Sequence, residues 1–145
     1  MRAIVQRCEK ANLIINNETY SSINKGIMLL VGFTHDDTEK DIDYIVDKVV
    51  NLRIFDDENG VMNKSVLDIS GEVLSVSQFT LYGNTKKGRR PSYIDSMKPD
   101  EATLLYDKFN EKLKQKINTK VGVFQAEMKI DFVNDGPVTL ILESR

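Results

Sequence analysis

The pattern of hydrophobic and polar positions predicts strands at both ends of the chain and two helices between them. Short apolar or alternating runs are typical of strands. The first third contains four such runs, at 2–8, 11–15, 18–22 and 27–33. The last of these is apolar almost throughout, which is typical of a strand covered on both faces. Further strands are predicted at 53–55, 72–82, 123–132 and 138–143.

Two segments have the apolar spacing of a helix with one buried face. The first has its apolar positions at Ile42, Ile45, Val46, Val49 and Leu52. Thr38 followed by Asp41 resembles a capping box and predicts where this helix begins. Pro99, with acidic residues directly after it, predicts the start of the second helix. Its apolar positions are Ala102, Leu105, Phe109, Leu113 and Ile117.

The clearest alternation in the chain lies near the carboxyl end. One predicted strand face carries Phe124, Ala126, Met128, Ile130 and Phe132. Gln125 falls on the opposite face of that strand. A turn predicted at 134–136 separates it from the last strand. Strands at both ends with two helices between them predict one domain over 1–145, an α/β fold with a layered, barrel-like mixed sheet.

Composition limits the possible classes of protein but does not identify the function. The chain has 145 residues, 41% hydrophobic and 29% charged, with a formal net charge of −2. Because the charges nearly cancel, any nucleic-acid contact has to come from a local basic patch. Cys8 is the only cysteine, so no intrachain disulfide forms, which suits a reducing compartment. No apolar run reaches the length of a membrane span or signal peptide, so we expect a cytoplasmic protein without a membrane partner.

The side chains of common hydrolase and metal sites are scarce. His35 is the only histidine, and we predict that it is an exposed loop residue. One histidine and one cysteine do not make a zinc site, so no metal and no cofactor is predicted. Cys8 lies in a predicted strand and is expected to be a small buried hydrophobic residue.

Three segments remain, and the pattern of each allows two interpretations. Ser77-Gln78-Phe79-Thr80 places polar residues on an apolar strand, which is also typical of a half-exposed strand. Asn134-Asp135-Gly136-Pro137-Val138-Thr139 could be an ordinary turn, with Pro137 at a strand start or edge. A third segment carries four cations that could bind phosphates or could simply be solvated. These cations are Lys86, Lys87, Arg89 and Arg90.

A basic surface could extend beyond that loop. The second predicted helix carries further cations, at Lys108, Lys112, Lys114 and Lys116. Glu111 dilutes their charge.

Taken together and in this order, the segments resemble the D-aminoacyl-tRNA deacylase family, also called D-tyrosyl-tRNA deacylases. Ser77-Gln78-Phe79-Thr80 and Asn134-Asp135-Gly136-Pro137-Val138-Thr139 are similar to its two signature motifs. The amino-terminal Met1–Arg7 stretch, Met62-Asn63 and the basic loop also fit, so the resemblance runs essentially end to end. Two positions depart from the family pattern: Gln125 stands where glycine is frequent, and Asn84 where aspartate is frequent.

The resemblance implies a homodimer that hydrolyses the ester of D-aminoacyl-tRNA, and of glycyl-tRNA, with its active sites at the subunit interface. Gly136-Pro137 would be cis and would reach into the partner's site as a backbone wall that rejects L-residues. Backbone N–H groups of Phe79 and Thr80 would stabilise the oxyanion. Ser77 and Gln78 would hold the terminal adenosine and the ester.

The same resemblance gives roles to two further sets of residues. Phe124 and Met128 would pack against the adenine, and the basic loop would bind tRNA. Two other classes compete with this interpretation. One is a non-catalytic RNA-binding module, for which the sequence shows no exposed aromatic stacking platform. The other is a structural domain that dimerises through its strands.

Overall fold

A computed structural model describes residues Met1–Arg145. It contains eight strands, two α-helices and one 3-10 turn. Their bounds are β1 Arg2–Ile15, β2 Glu18–Ile23, β3 Gly26–Gly32, α1 Glu39–Asn51, β4 Phe55–Asp56, β5 Met62–Lys64, β6 Glu72–Ser77, the 3-10 turn Phe79–Tyr82, α2 Pro99–Lys114, β7 Thr119–Val121 and β8 Lys129–Glu143. Neither helix has the length and apolar character needed to cross a membrane.

Six strands form one mixed sheet that is nearly closed. The order is β2-β1-β3-β6-β7, and β8 pairs with β1. The β3–β6 and β6–β7 pairs are parallel and the others are antiparallel. The two ends of this order approach each other, because Ser21 Oγ donates to the Val121 carbonyl at 3.3 Å. The predicted α/β fold with a barrel-like sheet and two helices is confirmed.

The two longest strands differ from the sequence prediction. The runs at 2–8 and 11–15 belong to one strand, β1, which pairs with β8 along its length. The turn predicted at 134–136 is wrong, because β8 continues through it in one direction. Cys8 pairs with Asn134 and Gln6 with Thr139, so residues 135–138 stand opposite Arg7 alone. Glycine and proline are found in irregular bulges as well as in turns, so the local sequence does not show which of these structures will form.

The helices cover one face of the sheet and form the larger of two cores. In α1 the predicted apolar stripe is buried, with Leu52 packed partly against it. In α2 the predicted stripe is also buried, except that Leu105 is half-buried. The apolar spacing did not predict the burial of Tyr106, which is 2% exposed. On the other face a smaller core contains Cys8, whose burial raises its thiol pKa to about 11, as expected for an inert buried residue.

The start of α1 and its contact with α2 are set by polar groups. Thr38 N–H donates to Asp41 Oδ2 at 2.8 Å, and the helix begins at the next residue, as predicted. Glu39 pairs with Lys108 at 2.6 Å and with Lys112 at 2.8 Å. Hydrogen bonds from Lys108 and then Lys112 lower the pKa of Glu39 to about 2. These two lysines are neutralised by their partners, so they do not extend a basic surface as the sequence suggested.

Candidate active site

A cavity of about 730 Å³ opens beside the end of β6. Most of its lining residues are hydrophobic. It brings together five of the residues that the sequence singled out: Ser77, Gln78, Phe79, Phe124 and Met128. Thr80, Gly136 and Pro137 are not among its lining residues. A single chain therefore builds an apolar pocket with a polar rim from one signature segment, while the second segment lies elsewhere.

The first signature segment reaches the pocket because the strand ends earlier than predicted. β6 stops at Ser77, and residues 79–82 form a 3-10 turn instead of continuing the strand to Tyr82. Gln78 N–H donates to the Val31 carbonyl at 2.6 Å, the last backbone bond before the turn. The turn packs closely on β3 at Gly32, where an added Cβ would lie 2.8 Å from the Gln78 carbonyl oxygen. The close approach of the two backbones requires glycine at this point.

The Thr80 side chain is hydrogen-bonded to Gln78 of the same segment. Gln78 Nε2 donates to Thr80 Oγ1 at 2.5 Å, and the Thr80 side chain is exposed. An amide cannot accept a proton as a general base does, so this arrangement does not activate the hydroxyl as a nucleophile. The arrangement instead holds the Gln78 side chain at the pocket rim. The N–H groups of Phe79 and Thr80 lie at the start of the 3-10 turn, where the turn itself offers them no acceptor.

The opposite wall of the pocket comes from residues 124–130. The strand predicted at 123–132 begins only at Lys129, so its first half is irregular. The alternation of burial nevertheless persists, and Phe124, Ala126 and Met128 line the pocket. Gln125 is exposed, although it also borders the cavity, and its φ of 63° departs from strand geometry. That left-handed conformation favours glycine, which explains the glycine of the family pattern.

A buried tyrosine supports this wall from below. The Tyr106 and Phe124 rings lie 5.9 Å apart, and Tyr106 Oη donates to the Ser75 carbonyl at 2.8 Å. Burial raises the pKa of Tyr106, so its hydroxyl stays a donor. Phe124 therefore rests on a ring that is itself tied to β6.

The second signature segment forms the bulge of β8. The Gly136–Pro137 peptide bond is cis, and both residues are exposed. Asn134 Nδ2 donates to the Arg7 carbonyl at 3.0 Å and to the Val138 carbonyl at 3.2 Å, which closes the bulge. The asparagine of the motif thus joins both sides of the irregular stretch.

Arg7 supports the bulge from within the sheet. Its side chain is buried, donates from Nη1 to the Ile54 carbonyl at 2.8 Å and pairs with the Asp135 carboxylate at 3.2 Å. Gly136 has a φ of 117°, and an added Cβ would lie 3.0 Å from Arg7 Nη2. Both the backbone conformation and the available space therefore call for glycine here.

The basic loop is exposed and closed at its base. Lys86, Lys87, Arg89 and Arg90 are all exposed. Asn84 and Ser92 exchange two backbone hydrogen bonds of 2.8 and 2.9 Å. Asn84 Oδ1 also accepts a hydrogen bond from Lys86 N–H at 3.0 Å, which holds the start of the loop.

Several pocket residues were not found from the sequence. They are Val31, Phe33, Tyr93, Ser96, Met97, Ala102 and Ile130. Most are apolar residues in predicted strands or helices, so they were read as core. His35 is exposed, as predicted, and its Nε2 lies 2.8 Å from the Ile94 carbonyl oxygen. No group of three or more His, Cys, Asp or Glu side chains is arranged to hold a metal ion.

Comparison with known proteins places the chain in a family. Residues 4–143 match the family described as D-Tyr-tRNA(Tyr) deacylase. The D-aminoacyl-tRNA deacylase of Bacillus cereus (strain B4264) is 55% identical over 146 residues, which cover 100% of both chains. That of Bacillus velezensis (strain DSM 23117 / BGSC 10A6 / LMG 26770 / FZB42) is 53% identical over 100% of this chain and 99% of the relative.

Two solved structures share the fold. One, described as c-Myc DNA Unwinding Element Binding Protein, has a TM-score of 0.95 and 40% identity over 100% of this chain and 99% of its own. The other, a probable eukaryotic D-amino acid tRNA deacylase, has a TM-score of 0.84 at 20% identity and covers 98% of each chain, which supports the fold alone. From the full-length match and the curated relatives, the chain belongs to the D-Tyr-tRNA(Tyr) deacylase family and is a hydrolase.

Proposed function

We propose that this protein hydrolyses the ester that joins a D-amino acid to the terminal adenosine of tRNA. The observation that carries the proposal is the pocket, where Ser77, Gln78 and Phe79 meet Phe124 and Met128 around an apolar cavity. A pocket of this size with a few polar groups at one side suits a nucleoside and a small acyl group. Because its substrate is charged tRNA, we place the enzyme in the cytoplasm.

The substrate is held from two sides. Phe124 and Met128 pack against the adenine, while Ser77 and Gln78 hydrogen-bond the ribose and the ester. The Thr80 hydroxyl keeps the Gln78 amide in place through their 2.5 Å bond. Orientation matters here because a correctly placed ester and water react far faster than free ones.

Catalysis proceeds without a side-chain nucleophile. Water adds to the ester carbonyl with help from the neighbouring 2′-hydroxyl of the ribose. The resulting oxyanion accepts hydrogen bonds from the N–H groups of Phe79 and Thr80. The acyl C–O bond then breaks, the ribose oxygen takes the proton, and free D-amino acid and tRNA leave. No cofactor takes part in this sequence.

A second copy of the chain distinguishes D-aminoacyl from L-aminoacyl groups. Gly136 and Pro137 are exposed and lie outside their own pocket, so in a homodimer they are available to the pocket of the partner. A stretch of main chain at the Cα hydrogen of a D-residue collides with the side chain of an L-residue. Rejection of this kind needs no side-chain pocket. Glycine, which has no side chain, passes the same test and is hydrolysed as well.

The basic loop binds the tRNA backbone. Its four exposed cations form a local positive patch on a chain whose net charge is −2. Such contacts add affinity without base specificity. They therefore suit an enzyme that accepts many tRNAs.

Deacylation under single-turnover conditions tests the proposal. We expect hydrolysis of D-tyrosyl-tRNA and glycyl-tRNA at rates well above the uncatalysed reaction, and none of L-tyrosyl-tRNA. Sedimentation should show a dimer. Binding of tRNA without hydrolysis would favour the non-catalytic RNA-binding module, and absence of any tRNA binding would favour the structural domain.

A further inference from the structure

Two aromatic side chains lie exposed at the mouth of the pocket. Phe79 is 57% exposed and Tyr93 is 41% exposed, although both line the cavity. Their ring centroids are 5.0 Å apart and their planes meet at 65°. Large aromatic residues are usually covered, so two such rings meeting edge to face in solvent need an explanation. We call Phe79 and Tyr93 the aromatic shelf.

The aromatic shelf is held in place by its own backbone. An added Cβ at Gly83 would lie 3.0 Å from Tyr93 Cε1, so the tyrosine ring rests directly on that glycine. Ser96 N–H donates to the Tyr93 carbonyl, and Ser96 Oγ donates to the Phe79 carbonyl, both at 3.0 Å. One serine thereby ties the two residues together. Rings fixed in this way lose little freedom when a ligand stacks on them.

The shelf adjoins the base of the basic loop. The two backbone bonds between Asn84 and Ser92 close that loop, and Tyr93 is the next residue along the chain. The loop that carries the four exposed cations therefore ends directly before the tyrosine of the shelf. An aromatic surface beside a positive loop is the combination that binds single-stranded nucleic acid, because bases stack while phosphates meet cations.

We propose that the aromatic shelf stacks the base of the nucleotide that precedes the terminal adenosine of tRNA. This inference rests on the proposed function, in which the terminal adenosine fills the pocket. The preceding nucleotide is then the first to lie outside the cavity, where the shelf begins. Its phosphate faces the basic loop. The sequence alone suggested no stacking platform, because Phe79 and Tyr93 are 14 positions apart and only the fold joins them.

The experiment compares two substrates that differ in the proposed contact. D-tyrosyl-tRNA contains the preceding nucleotide, and D-tyrosyl-adenosine lacks it. Tyr93→Ala and Tyr93→Leu should lower kcat/KM on the tRNA about tenfold or more beyond any loss on the adenosine ester. Tyr93→Phe keeps the ring and should act like wild type on both. Tyr44→Ala, which removes a tyrosine that is 46% exposed on α1, is the matched control.

A tRNA with an abasic nucleotide before the terminal adenosine tests whether the base itself is what the shelf binds. On that substrate wild type and Tyr93→Leu should have equal kcat/KM, because the base that stacks is gone. An equal loss on D-tyrosyl-tRNA and D-tyrosyl-adenosine would overturn the inference, since Tyr93 would then support the pocket itself. Full activity of Tyr93→Leu on tRNA would overturn it as well.

Two further outcomes distinguish this inference from a subunit contact at the shelf and from failure of the proposed function. If Tyr93→Leu lowers the molecular mass seen in sedimentation, the partner subunit occupies the shelf and the inference is wrong. If wild type hydrolyses neither D-tyrosyl substrate, the proposed function itself fails. The two failures are thus distinguishable in one set of measurements.

Discussion

The two signature segments are built in opposite ways. Ser77–Thr80 ends a strand, turns over its neighbour and delivers three side chains to a cavity of the same chain. Asn134–Thr139 stays within a strand, but its residues 135–138 form a bulge opposite Arg7 alone, with Gly136 and Pro137 exposed. The first segment is complete within one chain. The second segment is supported by Arg7 and Asn134, but its Gly136 and Pro137 do not line the cavity of their own chain.

The difference matches the two roles that the proposed function gives to these segments. In the first segment the Thr80 hydroxyl holds the Gln78 side chain, and the N–H groups of Phe79 and Thr80 have no acceptor within the turn. At the second segment the side chains of Asn134 and of Arg7, which lies on β1, hold the bulge, and Gly136 and Pro137 are exposed. An exposed Gly-Pro on a supported bulge suits the proposed wall, whereas a segment that presents polar groups to a cavity suits the proposed catalytic surface.

Gly136→Val gives the largest expected effect and tests the wall directly. The φ of 117° and the 3.0 Å approach to Arg7 Nη2 oppose any side chain here, and a valine would fill the space meant for substrate. We expect deacylation of D-tyrosyl-tRNA to fall by about 100-fold or more. Gly60→Ala is the control, because Gly60 also has a positive φ but has no atom within 4 Å of its added Cβ. Full activity of Gly136→Val would defeat the wall.

Arg7→Ala asks whether the second segment depends on its internal support. The variant removes a buried guanidinium that bonds the Ile54 carbonyl and the Asp135 carboxylate. We expect a loss of about 2 kcal/mol in the free energy of unfolding, measured by urea denaturation, together with weaker rejection of L-tyrosyl-tRNA. Arg53→Ala removes an exposed arginine that bonds the Asn63 carbonyl, and it should change neither quantity much. Unchanged stability would mean that the bulge holds itself.

Thr80→Ala tests whether the first segment works through its main chain. The variant loses the bond that fixes Gln78 but keeps every backbone N–H group. One lost hydrogen bond predicts a fall in kcat of about tenfold or less, and Thr80→Ser should restore most of it. Complete loss of activity, with tRNA affinity retained, would instead assign catalysis to the hydroxyl.

The basic loop provides the smallest effect and lies outside both segments. If Lys86 and Lys87 each contact one phosphate, replacing either by alanine should reduce the slope of log affinity against log salt by about 0.7 to 0.9. The rate of hydrolysis at saturating tRNA should stay the same. A salt response equal to that of wild type would leave the loop without a role in binding.

The comparison also explains which parts of the fold were predictable. The stripes of α1 and α2 follow from apolar spacing, and Thr38 with Asp41 marks the helix start, because these signals act within a few residues. The strand predicted to reach Tyr82 instead ends at Ser77, since its last backbone bond goes to Val31, 47 positions earlier in the sequence. Local propensity contains no information about such a partner.

The candidate site shows the same division. The two signature segments and the basic loop were found from the sequence, and so were Phe124 and Met128. The irregular backbone at Gln125 was not, because an ordinary alternation does not predict a φ of 63°. Tyr93 was missed for another reason, since its neighbour Phe79 comes from a different part of the chain.

By itself the amino-acid sequence determined the α/β class, the two helices and the family to which the chain belongs, because composition, periodicity and motif order are properties of a linear chain. Tertiary structure decided that Asn134–Thr139 is a bulge, that Ser77–Thr80 turns into a pocket, and that Phe79 and Tyr93 form one surface. Each of these depends on contacts between residues far apart in the chain. Their energies arise only when the strands have paired and the backbones have come together.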